Sequence, residues 1–153
     1  MEPRTLAERT ADVRAKLAVD EDCWVASASG TGDAYLIPLS FVWTGAQLIL
    51  ATPEKSRTVR NLRRAGVVRI ALGPTRDVIL LDGTVEIVPL AEIEPEIADA
   101  FAKHTGFDPR KETATYVYLR VTPQTVQTWR EANELAGRFV MRDGCWLGDE
   151  ATS

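Results

Sequence analysis

Ser56, Arg57, Arg60 and Asn61, with Lys55 just before them, are the residues whose types and spacing could do chemistry in this chain. Ser56 is a candidate N-cap, and a helix beginning at Arg57 leaves the N–H groups of Arg57, Thr58 and Val59 pointing outward without intrahelical partners. Such an end favours an anion through those N–H groups and through the helix dipole. Lys55, Arg57 and Arg60 add charge, and an arginine can grip a phosphate with two parallel hydrogen bonds. Residues 55–64 also hold Arg63 and Arg64 and contain no acid, although the whole chain carries a net charge of −4. A local positive patch on an acidic protein suits a small anionic ligand better than a nucleic acid. The same spacing also describes an ordinary capped helix with surface arginines, and for Arg63 and Arg64 a solvated face is the simpler reading.

Other constellations are weak. The one histidine, His104, ends an acidic helical stretch and reads as a helix C-terminal residue, not a catalyst. No serine stands in a nucleophile elbow. Glu92, Glu94, Glu96 and Asp99 read as a solvated face, so no metal site is expected. Gly30 and Gly32 lie in a Ser-Gly-Thr-Gly-Asp cluster that lacks the lysine and spacing of a phosphate loop and reads as a hairpin turn. Cys23 and Cys145 are far apart and imply neither a disulfide framework nor a metal knot. An enzyme with so little chemistry of its own takes its reactive atom from a cofactor. The absence of a signal pattern, and of any apolar run near the roughly 18 residues that span a bilayer, predicts a soluble cytoplasmic protein.

The elements that must position the basic stretch are legible around it. At 153 residues and 45% hydrophobic, the chain suits one well-buried domain, 1–153. Thr5 to Ala18 reads as a helix, with an apolar stripe of Leu6, Val13 and Leu17 and a capping box of Thr5 and Glu8. Cys23 to Ser29 is a strand. Tyr35 to Thr44 alternates with period two, a turn at Gly45 follows, and Gln47 to Ala51 resumes as a strand. The basic helix places Val59, Leu62 and Ala65 on one face and stops near Gly66. Val67 to Leu72 and Val78 to Val88 are strands, with Gly83 marking a bulge or bend. Pro89 to Lys103 is an amphipathic helix. Thr113 to Val121 and Gln124 to Arg130 read as two strands split by Thr122-Pro123. The tail from Glu131 is mixed, and Ala151 to Ser153 is expected to fray. Short turns between strands, with no strand–helix alternation, predict a mainly β, α+β fold: a six- to seven-stranded antiparallel barrel with flanking helices.

The passage PLSFVWTGAQLILATPEKSRTVRNLRRAGVVRIAL resembles the pyridoxamine 5′-phosphate oxidase-like superfamily, the flavin- and deazaflavin-binding split β-barrels. The matching parts are Phe41-Val42-Trp43, Gly45, Ala51-Thr52 and the helix start Ser56-Arg57-Thr58-Val59-Arg60-Asn61-Leu62, followed by strands in the family's order to Trp129. Many members place a lysine where this chain has Thr58, and Lys55 stands close enough in sequence to compensate. The resemblance implies a homodimer of split barrels with cofactor sites at the interface. It further implies that the hairpin residues Ile37, Pro38, Leu39, Ser40 and Val42 line the cofactor ring. The segment Thr52, Lys55, Ser56, Arg57, Thr58, Arg60 and Asn61 would hold its phosphate, and Trp129 would border the partner's site. Trp43 reads as core or interface packing.

The pattern is similar to the branch that uses the 5-deazaflavin coenzyme F420, which implies a reductase passing a hydride to a small organic acceptor. The coenzyme's polyglutamate tail would suit extra basic residues such as Arg60 and Arg64. An FMN-dependent oxidase or reductase of the same fold is the first alternative. A non-catalytic protein that binds a cofactor or a haem-like tetrapyrrole is the second. No catalytic residue stands out.

Overall fold

The computed structural model describes residues 1–148. The expected fraying at Ala151 to Ser153 lies outside these residues.

Thr5 and Glu8 form the expected capping box, exchanging bonds of 3.1 and 2.9 Å, and start α1, Leu6–Val19. Its buried stripe is Thr10, Val13 and Leu17, while Leu6 remains 38% exposed. Strands β1 (Asp22–Ala28), β2 (Ala34–Trp43) and β3 (Leu48–Pro53) follow, then α2 (Arg57–Ala65). The chain continues through β4 (Val67–Leu72), β5 (Val78–Pro89), α3 (Pro95–Thr105), β6 (Tyr116–Trp129), β7 (Phe139–Arg142) and β8 (Cys145–Trp146). All are antiparallel, in the order β3-β2-β1-β4-β5-β6-β7-β8, and a pairing of β3 with β6 closes the first six into a barrel.

Alternate residues of every barrel strand point inward. Val25, Phe41, Leu48, Leu50, Ile70, Ile79, Leu81, Leu119 and Val121 fill the interior, and Val13 and Leu17 of α1 join the same core. The outer side is covered in one place by α3, where Ala98 and Phe101 pack on Val42, Ile49, Ala51 and Tyr118. The ring of Phe101 meets Tyr118 edge-on at 5.8 Å between centroids.

Three expectations change. Residues 113–130 do not form two strands: β6 runs unbroken through Thr122-Pro123, because Pro123 sits opposite Gly83 at a bulge, where the ladder is already interrupted. Gly83 is the bend that its position suggested. A Cβ there would lie 2.5 Å from the Thr122 carbonyl oxygen, so only glycine lets the two strands approach. The helix expected from Pro89 begins at Pro95, after a separate turn at Leu90–Glu92. The tail after Glu131 is a hairpin, β7–β8, joined by Asp143 and Gly144 with φ of 51° and 75°, the positive pair that a type I′ turn requires.

The barrel is split where the basic helix begins. Strand β2 pairs with β3 only over Phe41–Trp43, while Ala34–Ser40 pair with β1 alone. Ala51, Thr52 and Pro53 pair with β6 instead, so β2 and β3 part company, and α2 follows directly from the end of β3. Val59 and Leu62 anchor α2 in the barrel core.

Candidate cofactor site

Ser56 caps α2 as the sequence predicts, its hydroxyl accepting the Val59 N–H at 3.2 Å. Thr52, at the end of β3, donates its hydroxyl to Ser56 at 3.5 Å and so ties the cap to the barrel. The helix ends at Gly66, whose φ of 71° is the left-handed conformation of a helix C-cap. Buried Asn61 donates its amide to Ser27 Oγ at 3.0 Å, which locks α2 onto β1. Arg57 stacks over the Tyr35 ring at 5.1 Å, and Arg60 donates to the Lys55 carbonyl at 3.1 Å. Between Arg57, Arg60, Asn61 and the β1–β2 turn lies a cavity of about 310 Å³.

The cavity is mainly positive: Asp33 lines it beside Arg57 and Arg60, but its carboxylate accepts from the Thr31 hydroxyl at 3.2 Å. Arg4, Arg9, Lys16, Arg69, Arg110 and Arg120 each hold a carboxylate. Among the described residues no carboxylate lies within ion-pair distance of Lys55, Arg57, Arg60, Arg63 or Arg64. The Thr58 hydroxyl is buried in the same turn of helix without a hydrogen-bond partner, an uncommon state for a buried polar atom. Unmatched cations and free helix N–H groups together suit a bound anion, whereas the Thr58 hydroxyl, fully buried, does not line the cavity.

The expected site residues divide. Thr52, Lys55, Ser56, Arg57, Thr58, Arg60 and Asn61 come together around the start of α2. Ile37 and Leu39 lie level with buried Val25 and Cys23 and face the barrel's inner side at the split. Pro38 and Ser40 face outward; Pro38 lies opposite Trp24, and Ser40 donates to Asp22 at 2.7 Å. Val42 is buried beneath α3. Trp129 lies opposite Val78, at the far end of β5 from Thr84, which pairs with Val67 just after α2, and Arg138 stacks on Trp129 at 5.9 Å. Within one chain it does not reach α2. Tyr35 and Ser27 are the contacts that the sequence did not show, because their partners Arg57 and Asn61 are distant in the chain.

Two groups that could have been nucleophile or base are engaged elsewhere. Burial pushes the Cys23 thiol up to about 12, so it stays protonated. His104 Nε2 lies 2.8 Å from the Asp20 carbonyl oxygen and joins α3 to the end of α1.

Residues 10–130 match the family model described as pyridoxamine 5′-phosphate oxidase. The chain belongs to this family. Solved structures share its fold. An F420 reductase is 19% identical with a TM-score of 0.61, over 74% of this chain and 94% of that one. General Stress Protein 26 from Bacillus anthracis strain Sterne is 15% identical with a TM-score of 0.60, over 81% and 93%. A pyridoxamine 5′-phosphate oxidase-related, FMN-binding protein from Nostoc punctiforme is 13% identical with a TM-score of 0.51, over 80% and 78%. No curated protein matches the sequence. The pyridoxamine 5′-phosphate oxidase family assignment covers β1 to β6 and α2, the elements that build the split and the basic helix start.

Proposed function

We propose that the protein is an oxidoreductase that binds coenzyme F420 and passes a hydride to a small organic acceptor, with FMN as the alternative cofactor. The observation that carries this reading is the group of cations without carboxylate partners around the start of α2, beside a cavity of about 310 Å³. Lys55, Arg57, Arg60 and the free N–H groups of the helix start hold the cofactor's phosphate; Thr52, Ser56 and Asn61 fix the helix against β3 and β1. Ile37 and Leu39, on the inner face of the half of β2 that β3 leaves unpaired, border the ring, while Pro38 and Ser40 face the other way, toward the proposed second copy. Val42 acts from beneath, through packing. The cofactor supplies the hydride when bound, and the chain positions the ring and excludes water from it. The F420 choice is supported by Arg63, exposed one turn beyond Arg60 on α2, which suits the carboxylates of an acidic tail.

A homodimer belongs to this reading. Pro38, Trp24, Ala71, Leu80, Gln127 and Phe139 form one continuous outward rung across six strands. Trp24, within this rung, is 50% exposed. α3 covers a different side of the barrel, so this face suits a second copy, and Trp129 shares it. Parallel fluorescence titrations with F420 and FMN test the cofactor. Preference for F420 supports the proposal, preference for FMN moves it to the alternative, and binding of neither removes it.

A further inference from the structure

A second cavity, of about 520 Å³, lies at the C-terminal end of α2, on the outward face of β1, β4 and β5, one rung along from Trp24, Ala71 and Leu80. Ala26 and Ala28 of β1, Ala65 at the end of α2, Val67 and Val68 of β4 and Gly83 of β5 give it small, apolar walls. Such a volume with few polar groups is typical of small-molecule sites. The polar side chains on its wall are not equivalent. Ser27 is occupied by Asn61, at 3.0 Å. Arg69 and Asp82 hold each other through bonds of 2.7 and 3.2 Å and cancel in charge. Arg64 is the cavity's uncompensated charge. Its Nη2 donates to the Ala28 carbonyl at 2.8 Å and its stem packs over Gly30, so the guanidinium is held in place while its other N–H groups stay available.

Gln124 completes the arrangement. It is the extra residue of the β6 bulge, between Pro123 opposite Gly83 and Thr125 opposite Asp82. Its backbone carbonyl accepts from Gly144 at 2.9 Å, and its side-chain amide lines the cavity. Bulges commonly re-aim a side chain toward a site in this way.

We propose that this cavity is a separate ligand site for a flat, apolar molecule carrying one carboxylate. Arg64 pairs with the carboxylate, Gln124 makes a second polar contact, and the alanine and valine wall takes the ring. The charge balance of the wall selects a monoanion: a neutral ligand leaves Arg64 unmatched, and a dianion meets the Asp82 carboxylate.

The test is a calorimetric titration of the full-length protein with 2-naphthoate and, as a neutral isostere, 2-naphthamide. We expect saturable binding of 2-naphthoate, weakened about tenfold by Arg64→Gln, whereas 2-naphthamide binds more weakly and is indifferent to that substitution. Ala26→Phe, which fills the cavity from an outward-facing strand position, should abolish binding of both. Excess FMN or inorganic phosphate should leave the 2-naphthoate isotherm unchanged. Absence of saturable binding, insensitivity to both substitutions, or displacement by FMN or phosphate each overturns the proposal. None of these outcomes depends on which cofactor occupies the start of α2.

Discussion

Thr58 is the residue at which the structure departs most clearly from an ordinary capped helix. A buried hydroxyl without a partner costs about 1–3 kcal/mol relative to a satisfied one, and valine has nearly the same shape without the oxygen. Thr58→Val is therefore expected to raise the stability of the ligand-free protein by about 1 kcal/mol, read by chemical denaturation. A less stable variant would show that the hydroxyl is not left unsatisfied in the folded protein. Asn61 differs, since its amide is already matched by Ser27 at 3.0 Å. Asn61→Leu should cost about 1–3 kcal/mol of stability by leaving Ser27 and the β1–α2 contact without a partner. An unchanged denaturation midpoint would contradict that role.

At the scale of elements, α1 is fastened by a polar cluster that joins the two ends of the chain. Glu134, buried after β6, accepts from Arg4 Nη2 at 2.7 Å, from Arg4 Nε at 3.0 Å and from the Arg130 N–H at 2.9 Å. Arg9 donates to the Glu134 carbonyl at 2.9 Å. The hydrogen bonds from Arg4 hold the Glu134 carboxyl down to about 2, against an ordinary value of 4.5. A depressed carboxyl stabilises the fold at pH above its unfolded value and loses that contribution as pH falls through its folded one. Between about pH 4.5 and 2 the protein should therefore lose on the order of 3 kcal/mol from this group. Glu134→Gln should lower stability at neutral pH and flatten the acid limb of the stability profile. A variant with the wild-type acid limb would contradict this.

None of that cluster is legible in the sequence, because Arg4 and Glu134 are 130 residues apart and nothing local marks them as partners. What is legible is local. The cap at Ser56, the apolar face of α2 and the alternation of β2 follow from residues a few positions apart, and the structure places them there. The single strand β6 was hidden because Thr122-Pro123 looks like a break, and it is tolerated only opposite Gly83. The Asp143-Gly144 hairpin carried a recognisable signal, since Asp-Gly between short apolar runs is a type I′ turn sequence. The cations of 55–64 were visible as composition; that Arg64 turns to Ala28 and lines a different cavity from Arg57 was not.

At the scale of the whole molecule, the barrel has one side covered by α3 and one apolar side bare. Placing a charge there is the direct test of the proposed second copy. Trp24→Glu, on the outward side of β1, should leave the fold intact and convert a dimer to a monomer in sedimentation analysis, with cofactor affinity falling alongside. A wild-type protein that sediments as a monomer would remove the dimer from the account while leaving the anion site of α2 untouched. In this proposal the start of α2 holds the cofactor's phosphate. The most direct measurement is an equilibrium titration of coenzyme F420 into the wild type and into Arg57→Ala/Arg60→Ala, followed by fluorescence. Each lost charge-assisted bond should cost about tenfold, so the double variant is predicted to bind about a hundredfold more weakly than the wild type. Equal affinity in the two proteins would contradict the account.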